Sequence, residues 1–320
     1  MDLMTLFKTF VTLNEQGTMS KTADVLTYAQ PTVSLHLKAL EEYYGVPLAE
    51  FKGRRYALTE EGQVLHQYAT TILHLTNEAT DALTEFKTLE RGSLKVGATS
   101  NIGVYVLPGV LSLFRCRYPG VKVTVLIDKS WVIQAQVQQG ELGVGIVEAH
   151  VEESPHLVVE PWQDDPLVLI VSPRHPWSAA GEVAPEQLAD EPFVTGERGS
   201  GTQSVLEAQL GPVARTLRVA LELGSTEAVK RAVESDLGVS IVTQSSVARE
   251  VAAGILTTIP IRNVVLHKTF SLVYPRNRYL TSVTKSFLTE IRRLRGTSLP
   301  LGTVDCAQSG GRDDPGHGAN

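Results

Sequence analysis

Gln30, Thr32, Ser34 and Lys38 carry hydrogen-bonding side chains at helical spacing, and their chemistry is recognition rather than catalysis. Gln and Lys can bond base edges, while Ser and Thr reach bases or phosphates. They lie in the stretch Thr18–Leu48, which reads as two short helices joined by a tight turn. The first helix carries Ala23 and Leu26, with Ser20 placed to cap it. The second carries Val33, Leu37, Leu40 and Tyr44 at steps of four, three and four, one apolar stripe. Pro31 falls in its first turn, where a missing N–H costs least. Burying the stripe points Gln30, Thr32, Ser34, Leu35 and Lys38 outward, the face that a helix-turn-helix lays into the DNA major groove. Two amphipathic helices and a turn are common, so the stretch alone leaves a purely structural reading open.

The flanking elements narrow that choice. Leu3, Phe7, Phe10 and Val11 form a preceding helix with its own stripe. Residues 51–59 form a hairpin-like segment in which Lys52, Arg54 and Arg55 surround Gly53. A third helix plus a basic hairpin makes a winged helix-turn-helix, whose wing cations reach phosphate or the minor groove. Charge raises an objection. Residues 1–62 hold six Lys/Arg against eight Asp/Glu, a local net of −2. The sorting answers it: Lys38, Lys52, Arg54 and Arg55 fall on the second helix and wing, while Glu41–Glu42 and Glu60–Glu61 cluster elsewhere. His36, on the same helix, is expected to face solvent or phosphate.

The order of these parts resembles the LysR-type transcriptional regulators. The resemblance rests on Ser20, Ala23, Leu26, Gln30-Pro31-Thr32-Val33-Ser34, Leu40-Glu41, Gly45-Val46-Pro47-Leu48, Gly53-Arg54 and Leu58-Thr59-Glu60-Glu61-Gly62. Ala29 stands where that family typically has serine, and Leu35 where its recognition helix often has arginine. Ala49 and Phe51 replace a usual phenylalanine and arginine at the wing base. The resemblance implies DNA contact by Ser20, Gln30, Pro31, Thr32, Ser34, Lys38, Lys52, Arg54 and Arg55.

From Thr59 to about Leu89 the pattern predicts one long helix, with Glu60 and Glu61 in the first turn where the dipole favours acids. Leu65, Tyr68, Ile72, Leu75, Ala79, Ala82, Phe86 and Leu89 recur at alternating steps of three and four. That is a heptad seam. It predicts homodimerisation through Leu65, Ile72, Leu75 and Phe86, unless the helix packs on its own domain. Paired modules suit paired half-sites.

After Arg91-Gly92-Ser93, strands alternate with helices: strands at 94–98, 122–127 and 144–147, then 167–171, 193–194, 218–221, 239–242 and 268–274. Such alternation predicts parallel βαβ units. Two α/β halves joined by crossovers near Pro161–Pro166 and Pro260–His267 make a bilobed, periplasmic-binding-protein-like receptor. The expected fold is thus an N-terminal all-α winged helix-turn-helix (1–58), a linker helix (59–90) and a bilobed α/β effector domain (91–295). Lobe I takes about 91–163 plus 266–295, lobe II 164–265, and 296–320 is a disordered tail rich in Gly, Asp, Ser and Pro.

Ligands of open α/β sheets bind beyond strand carboxyl ends, where helix N-termini offer free N–H groups. Thr99-Ser100-Asn101, Lys129-Ser130-Trp131 and Arg198–Gln203 fit that position. Thr99, Ser100, Asn101, Ser130, Ser200, Thr202 and Gln203 are the expected effector contacts, suited to a small anion, with Ser225-Thr226 a weaker repeat. Each hydroxyl also has a bland reading as an N-cap. Trp131 reads as core more than as cleft wall.

At 320 residues the chain has room for two or three cored domains. Its net charge of −6 argues against indiscriminate coating of nucleic acid. No run of 18 apolar residues and no signal-peptide pattern occurs, and the two cysteines, Cys116 and Cys306, read as reduced, so a cytoplasmic protein is expected. There is no GxSxG elbow and no His at metal-ligand spacing, so neither enzyme, metal nor cofactor is expected. The implied partners are double-stranded DNA, a small-molecule effector, further copies of the chain (a dimer, a tetramer by resemblance) and RNA polymerase, with no membrane. The alternative is a cytoplasmic small-molecule sensor whose N-terminal helices contact protein.

Overall fold

The structure, a computed structural model, describes residues 2–52, 55–85, 92–148, 154–197 and 201–297. The tail expected to be disordered lies almost wholly outside them. The chain divides near residue 88 into two compact units.

In the first unit α1 (Leu3–Gln16) is capped by Asp2, whose carboxylate accepts from the Met4 N–H, and ends on left-handed Gly17. The next helix, α2 (Met19–Leu26), is capped by Thr18, which accepts from the Lys21 N–H. This corrects the assignment of that cap to Ser20: the helix begins two residues earlier and Ser20 lies inside it. Then α3 (Gln30–Tyr44) opens with Pro31 in its first turn and stops at Gly45 with φ 73°. The wing is a two-stranded antiparallel ribbon, β1 (Ala49–Lys52) and β2 (Arg55–Leu58). The long helix α4 (Glu60–Glu85) follows.

Phe7, Phe10 and Leu13 of α1 bury against Val33, Leu37 and Leu40 of α3 and Leu48. Leu65 and Ala69 of α4 join the same core. Leu65 is covered within the module, where the first turns of α4 pack on α1, and the exposed part of the stripe begins at Tyr68. Tyr68, Ile72 and Leu75 remain exposed. Tyr44, counted in the α3 stripe, is also exposed, because it sits at the helix end beyond the core.

The second unit opens with β3 (Ser93–Ala98), a π-type turn at Ile102–Val106 running into α5 (Leu107–Arg117), β4 (Lys122–Ile127), α6 (Ser130–Gln139) and β5 (Val144–Glu148). The long β6 (Leu157–Val171) leads through two 3-10 turns to β7 (Pro192–Thr195), α7 (Gly201–Leu210), α8 (Pro212–Thr216), β8 (Arg218–Glu222) and α9 (Thr226–Glu234). Finally come β9 (Ser240–Thr243), α10 (Gln244–Ala252), β10 (Thr257–Ile259), β11 (Leu266–Pro275) and α11 (Ser282–Arg293).

The main sheet runs β10-β6-β11-β5-β3-β4, with β9 also on β6. The pairs β3–β4, β3–β5 and β7–β8 are parallel, as alternation predicts. The pairs of β6 with β9, β10 and β11, and of β11 with β5, are antiparallel. The expected crossover at Pro161–Pro166 is instead the middle of β6, paired with β11, and the second crossover ends in β11. Proline fits there because the register shifts opposite Phe270/Ser271, so Pro161 sits beside a bulge, where the regular ladder is already interrupted. Residues 157–167 of β6 pair with β11, residues 167–170 with β9 and residues 169–171 with β10, so one continuous strand serves both lobes.

Lobe I packs Leu94, Val96, Phe114, Trp162 and Phe287 on one face of the sheet and Ile133, Val137 and Val273 on the other. Lobe II does the same with Leu169, Phe193 and Ile241, and with Ile170, Val229 and Val247. Cys116 is disulfide-bonded, correcting the reduced state read from the sequence; Cys306 lies outside the described residues.

Candidate functional site

On α3 the residues with buried side chains are Val33, His36, Leu37 and Leu40. At about 100° per residue, the direction opposite them is occupied by Pro31, Leu35, Lys38 and Glu42, flanked by Ser34 and Gln30. Gln30, Pro31, Ser34 and Lys38 are exposed and Thr32 is half-buried. Ser20, also exposed, donates from its hydroxyl to Gln30 Oε1 at 3.4 Å, tying α2 to the start of α3. Lys38 Nζ lies 3.7 Å from Glu42 Oε1. Arg54 lies outside the described residues, as do the side chains of Lys52 and Arg55.

His36 does not face solvent. It is buried, with Nδ1 2.8 Å from Thr9 Oγ1 and its ring edge-on to Tyr28 at 5.5 Å. The Thr9 hydroxyl already donates to the Thr5 carbonyl, so the Nδ1–H tautomer of His36 completes the contact. Burial pushes its pKa down and keeps the ring neutral. His66 of α4 is treated alike: burial lowers its pKa, although nearby Glu15 opposes the shift.

In the second unit a cavity of about 860 Å³ opens between the lobes. Lobe I lines it with Thr99, Ser100, Asn101 and residues 127–131, and lobe II with Gly201, Thr202, Ser204 and residues 224–227. Each group sits where a helix begins: Ser130 opens α6, Gly201 opens α7 and Thr226 opens α9. Thr99, Ser100, Asn101, Ser130 and Thr202 are therefore brought together, whereas Gln203 turns along its own helix to Glu207 and is not part of the lining. Ser200 lies outside the described residues. Trp131 is 67% exposed at the cleft, not in the core. It occupies the first turn of α6, while Ile133, Gln134 and Val137 form that helix's buried face.

Several of these groups already bond to one another. Asn101 Oδ1 accepts from the Thr226 hydroxyl at 2.8 Å across the cleft, and Ser130 Oγ donates to the Glu148 carbonyl at 3.0 Å. Ser225 caps α9 by accepting from the Ala228 N–H. The buried Thr99 hydroxyl has no hydrogen-bond partner among the described residues.

Sequence reasoning missed the charges. Tyr105 donates to Glu227 Oε1 at 2.7 Å from lobe I to lobe II, and burial with that bond pushes its pKa up. Lys230, itself buried, stands 4.7 Å over the Tyr105 ring and 2.7 Å from both Glu227 and Glu250. Lys268 and Glu148 form a buried pair in the lining. Lys129 reaches Glu197 across the mouth at 3.5 Å. The one sequence signal was a lysine within the apolar strand 266–275; its partner, 120 positions away, left none. Both of these ammonium groups in the lining thus face carboxylates, which leaves helix N-termini and hydroxyls as its free donors.

No helix among the described residues is long and apolar enough to cross a membrane.

Known proteins share this order of domains. Residues 4–63 match the family described as "Bacterial regulatory helix-turn-helix protein, lysR family", and residues 87–295 match the "LysR substrate binding domain". The chain is 31% identical over 284 residues to a probable RuBisCO transcriptional regulator of Guillardia theta, covering 87% of this chain and 92% of that one. A protein of the same description from Chlorokybus atmophyticus is 34% identical over 281 residues, covering 86% and 90%. Among solved structures, CbnR complexed with its target DNA gives a TM-score of 0.68 at 20% identity, covering 92% of this chain and 99% of that chain. At that identity the likeness shows the fold. The regulatory domain of CcmR from Synechocystis PCC6803, in complex with 2-PG, gives 0.58 at 28% identity, covering 65% and 99%. The chain belongs to the LysR family of transcriptional regulators.

Proposed function

We propose that this regulator reads a partly symmetric DNA site as a homo-oligomer in the cytoplasm, and that a small anion bound between its lobes sets how it does so. The reading face is Ser20, Gln30, Pro31, Thr32, Ser34 and Lys38, with the wing cations Lys52, Arg54 and Arg55 on phosphate. Ile72 and Leu75, exposed on α4 at a step of three with Tyr68 beside them, are the dimer seam. Phe86 would continue it. RNA polymerase is the partner such a regulator meets at a promoter.

The observation that carries the switch is the cleft: helix starts from both lobes converge on one cavity, bridged by Asn101–Thr226 and Tyr105–Glu227. A ligand there competes with or completes interlobe bonds, and so biases lobe packing. CcmR, in complex with 2-PG, makes 2-PG the first acid to try. The test is to titrate genomic fragments bound by the full-length protein with 2-PG and other small acids, reading footprint length and DNA bending. An acid that binds the cleft yet leaves both unchanged overturns the switch. Gln30→Ala with Ser34→Ala is expected to abolish sequence-specific retention; undiminished retention favours a sensor whose helices contact protein. Ile72→Asp with Leu75→Asp is expected to yield monomers in light scattering.

A further inference from the structure

We propose that Leu35 reads the 5-methyl group of a thymine, and so sets base preference in this chain. The inference rests on the outward face of α3 entering the major groove. Leu35 is 56% exposed, while Val33, His36, Leu37 and Leu40 on the opposite side are buried. At about 100° per residue it lies within roughly 30° of the centre of the outward face. Pro31, one turn earlier, is exposed on the same side. The two form an apolar ridge with Gln30 and Ser34 on one flank and Lys38 on the next turn.

A lone exposed leucine on an ordinary surface needs no explanation. This one occupies the middle of the surface that must meet base edges. The major-groove edges of adenine, guanine and cytosine offer nitrogen and oxygen donors or acceptors; the C5-methyl of thymine is the apolar feature. Leucine has no polar atom to give. Set against a G·C pair, it strips water from O6, N7 or N4 and returns no hydrogen bond, which is costly. Set against thymine, it buries methyl on methyl. One side chain therefore both favours T and penalises G·C, and an arginine at this position would favour guanine.

The experiment uses full-length protein. Fragments retained from the host genome define a site, and each thymine in it is replaced singly by deoxyuridine, which removes only the methyl. Wild type is expected to lose about three- to fivefold in affinity at one thymine per half-site. Leu35→Ala is expected to bind the T and U versions of that position equally. Leu35→Met, which keeps an apolar tip, is expected to retain the discrimination, and it serves as the readout should Leu35→Ala bind too weakly to measure. Wild type indifferent to every T-to-U change overturns the inference. So does a T-to-U penalty that survives undiminished in Leu35→Ala, which would assign the methyl to Pro31. Failure of the wild type to retain any fragment is a different result: it removes groove docking by α3, and the inference with it.

Discussion

The two units bury different chemistry. In the DNA-binding unit the interior is apolar, and the titratable groups it encloses are neutral: His36 and His66 have pKa values pushed down by burial, and Tyr56 has one pushed up. The effector unit instead buries charge, with Lys268 on Glu148 and Lys230 between Glu227 and Glu250, all near the lobe junction. Buried ion pairs return little net stability for their desolvation, but they specify partner and register. Packing suffices to hold the helices of the first unit, whereas bonds such as Tyr105–Glu227 form in one lobe arrangement and can be exchanged for others in a second.

The largest expected effect tests that contrast directly. Lys268→Met leaves Glu148 buried without its partner, and should cost about 3–5 kcal/mol. Glu148→Leu added to it should restore much of the loss. The measurement is selective, because Trp131, Trp162 and Trp177 all belong to the effector unit. Tryptophan fluorescence during urea unfolding follows that unit, while far-UV circular dichroism follows both. A double variant no better than the single would mean that the pair does more than neutralise itself.

The matching break in the DNA-binding unit is steric. A Cβ on Gly62, in the first turn of α4, would stand 2.0 Å from the Leu48 carbonyl oxygen, so backbone must move. Gly62→Ala is expected to cost about 1–3 kcal/mol and to weaken DNA retention, with the tryptophan-monitored transition unmoved. Equal shifts in both transitions would join what the comparison separates.

Acid should sharpen the difference. His36 and His66 have folded pKa values below their unfolded value near 6.5. The unfolded chain therefore takes up protons first, and the DNA-binding unit loses stability as pH falls below about 6.5. Glu160 has the opposite history: hydrogen bonds from Arg292 hold its pKa below 4.5. Its contribution is complete above that value and lost as pH falls through its folded pKa. Asp165 runs counter to Glu160, since burial raises its pKa and acid relieves the strain. Between pH 7 and 5 the circular-dichroism transition should fall while the tryptophan transition holds, and His36→Gln should flatten the fall.

What the sequence disclosed follows the same division. The stripe Val33, Leu37, Leu40 and the wing are short-range patterns, and both stand in the structure. His36 was misplaced because only apolar residues were counted, although it falls within the buried arc of α3. Thr18 and Ser20 are both capping residue types two positions apart, and only backbone geometry separates them. In the effector unit the hydroxyl loops were legible, since strand ends and helix starts recur locally. The bonds across the cleft were not: Tyr105 and Glu227 are 122 positions apart, and Asn101 and Thr226 are 125. Prolines 161 and 166 read as a break because a strand seldom carries them, yet β6 passes through both.

The smallest expected effect on stability carries the most about recognition. Glu42 lies on the outward face of α3 and draws Lys38 to 3.7 Å, with both side chains largely exposed. An exposed pair of this kind stabilises by less than about 1 kcal/mol, so Glu42→Gln should leave unfolding almost unchanged. On DNA the balance differs. If α3 docks as proposed, Glu42 would repel phosphate and compete with it for Lys38. Its removal should strengthen binding to specific and unrelated duplexes alike, and steepen the dependence of log K on log salt by about one as Lys38 gains a phosphate. Leu35→Ala, by contrast, should leave that slope alone and alter only which bases are preferred. The two variants, about two turns apart on a single helix, thereby separate attraction to the duplex from discrimination among its bases.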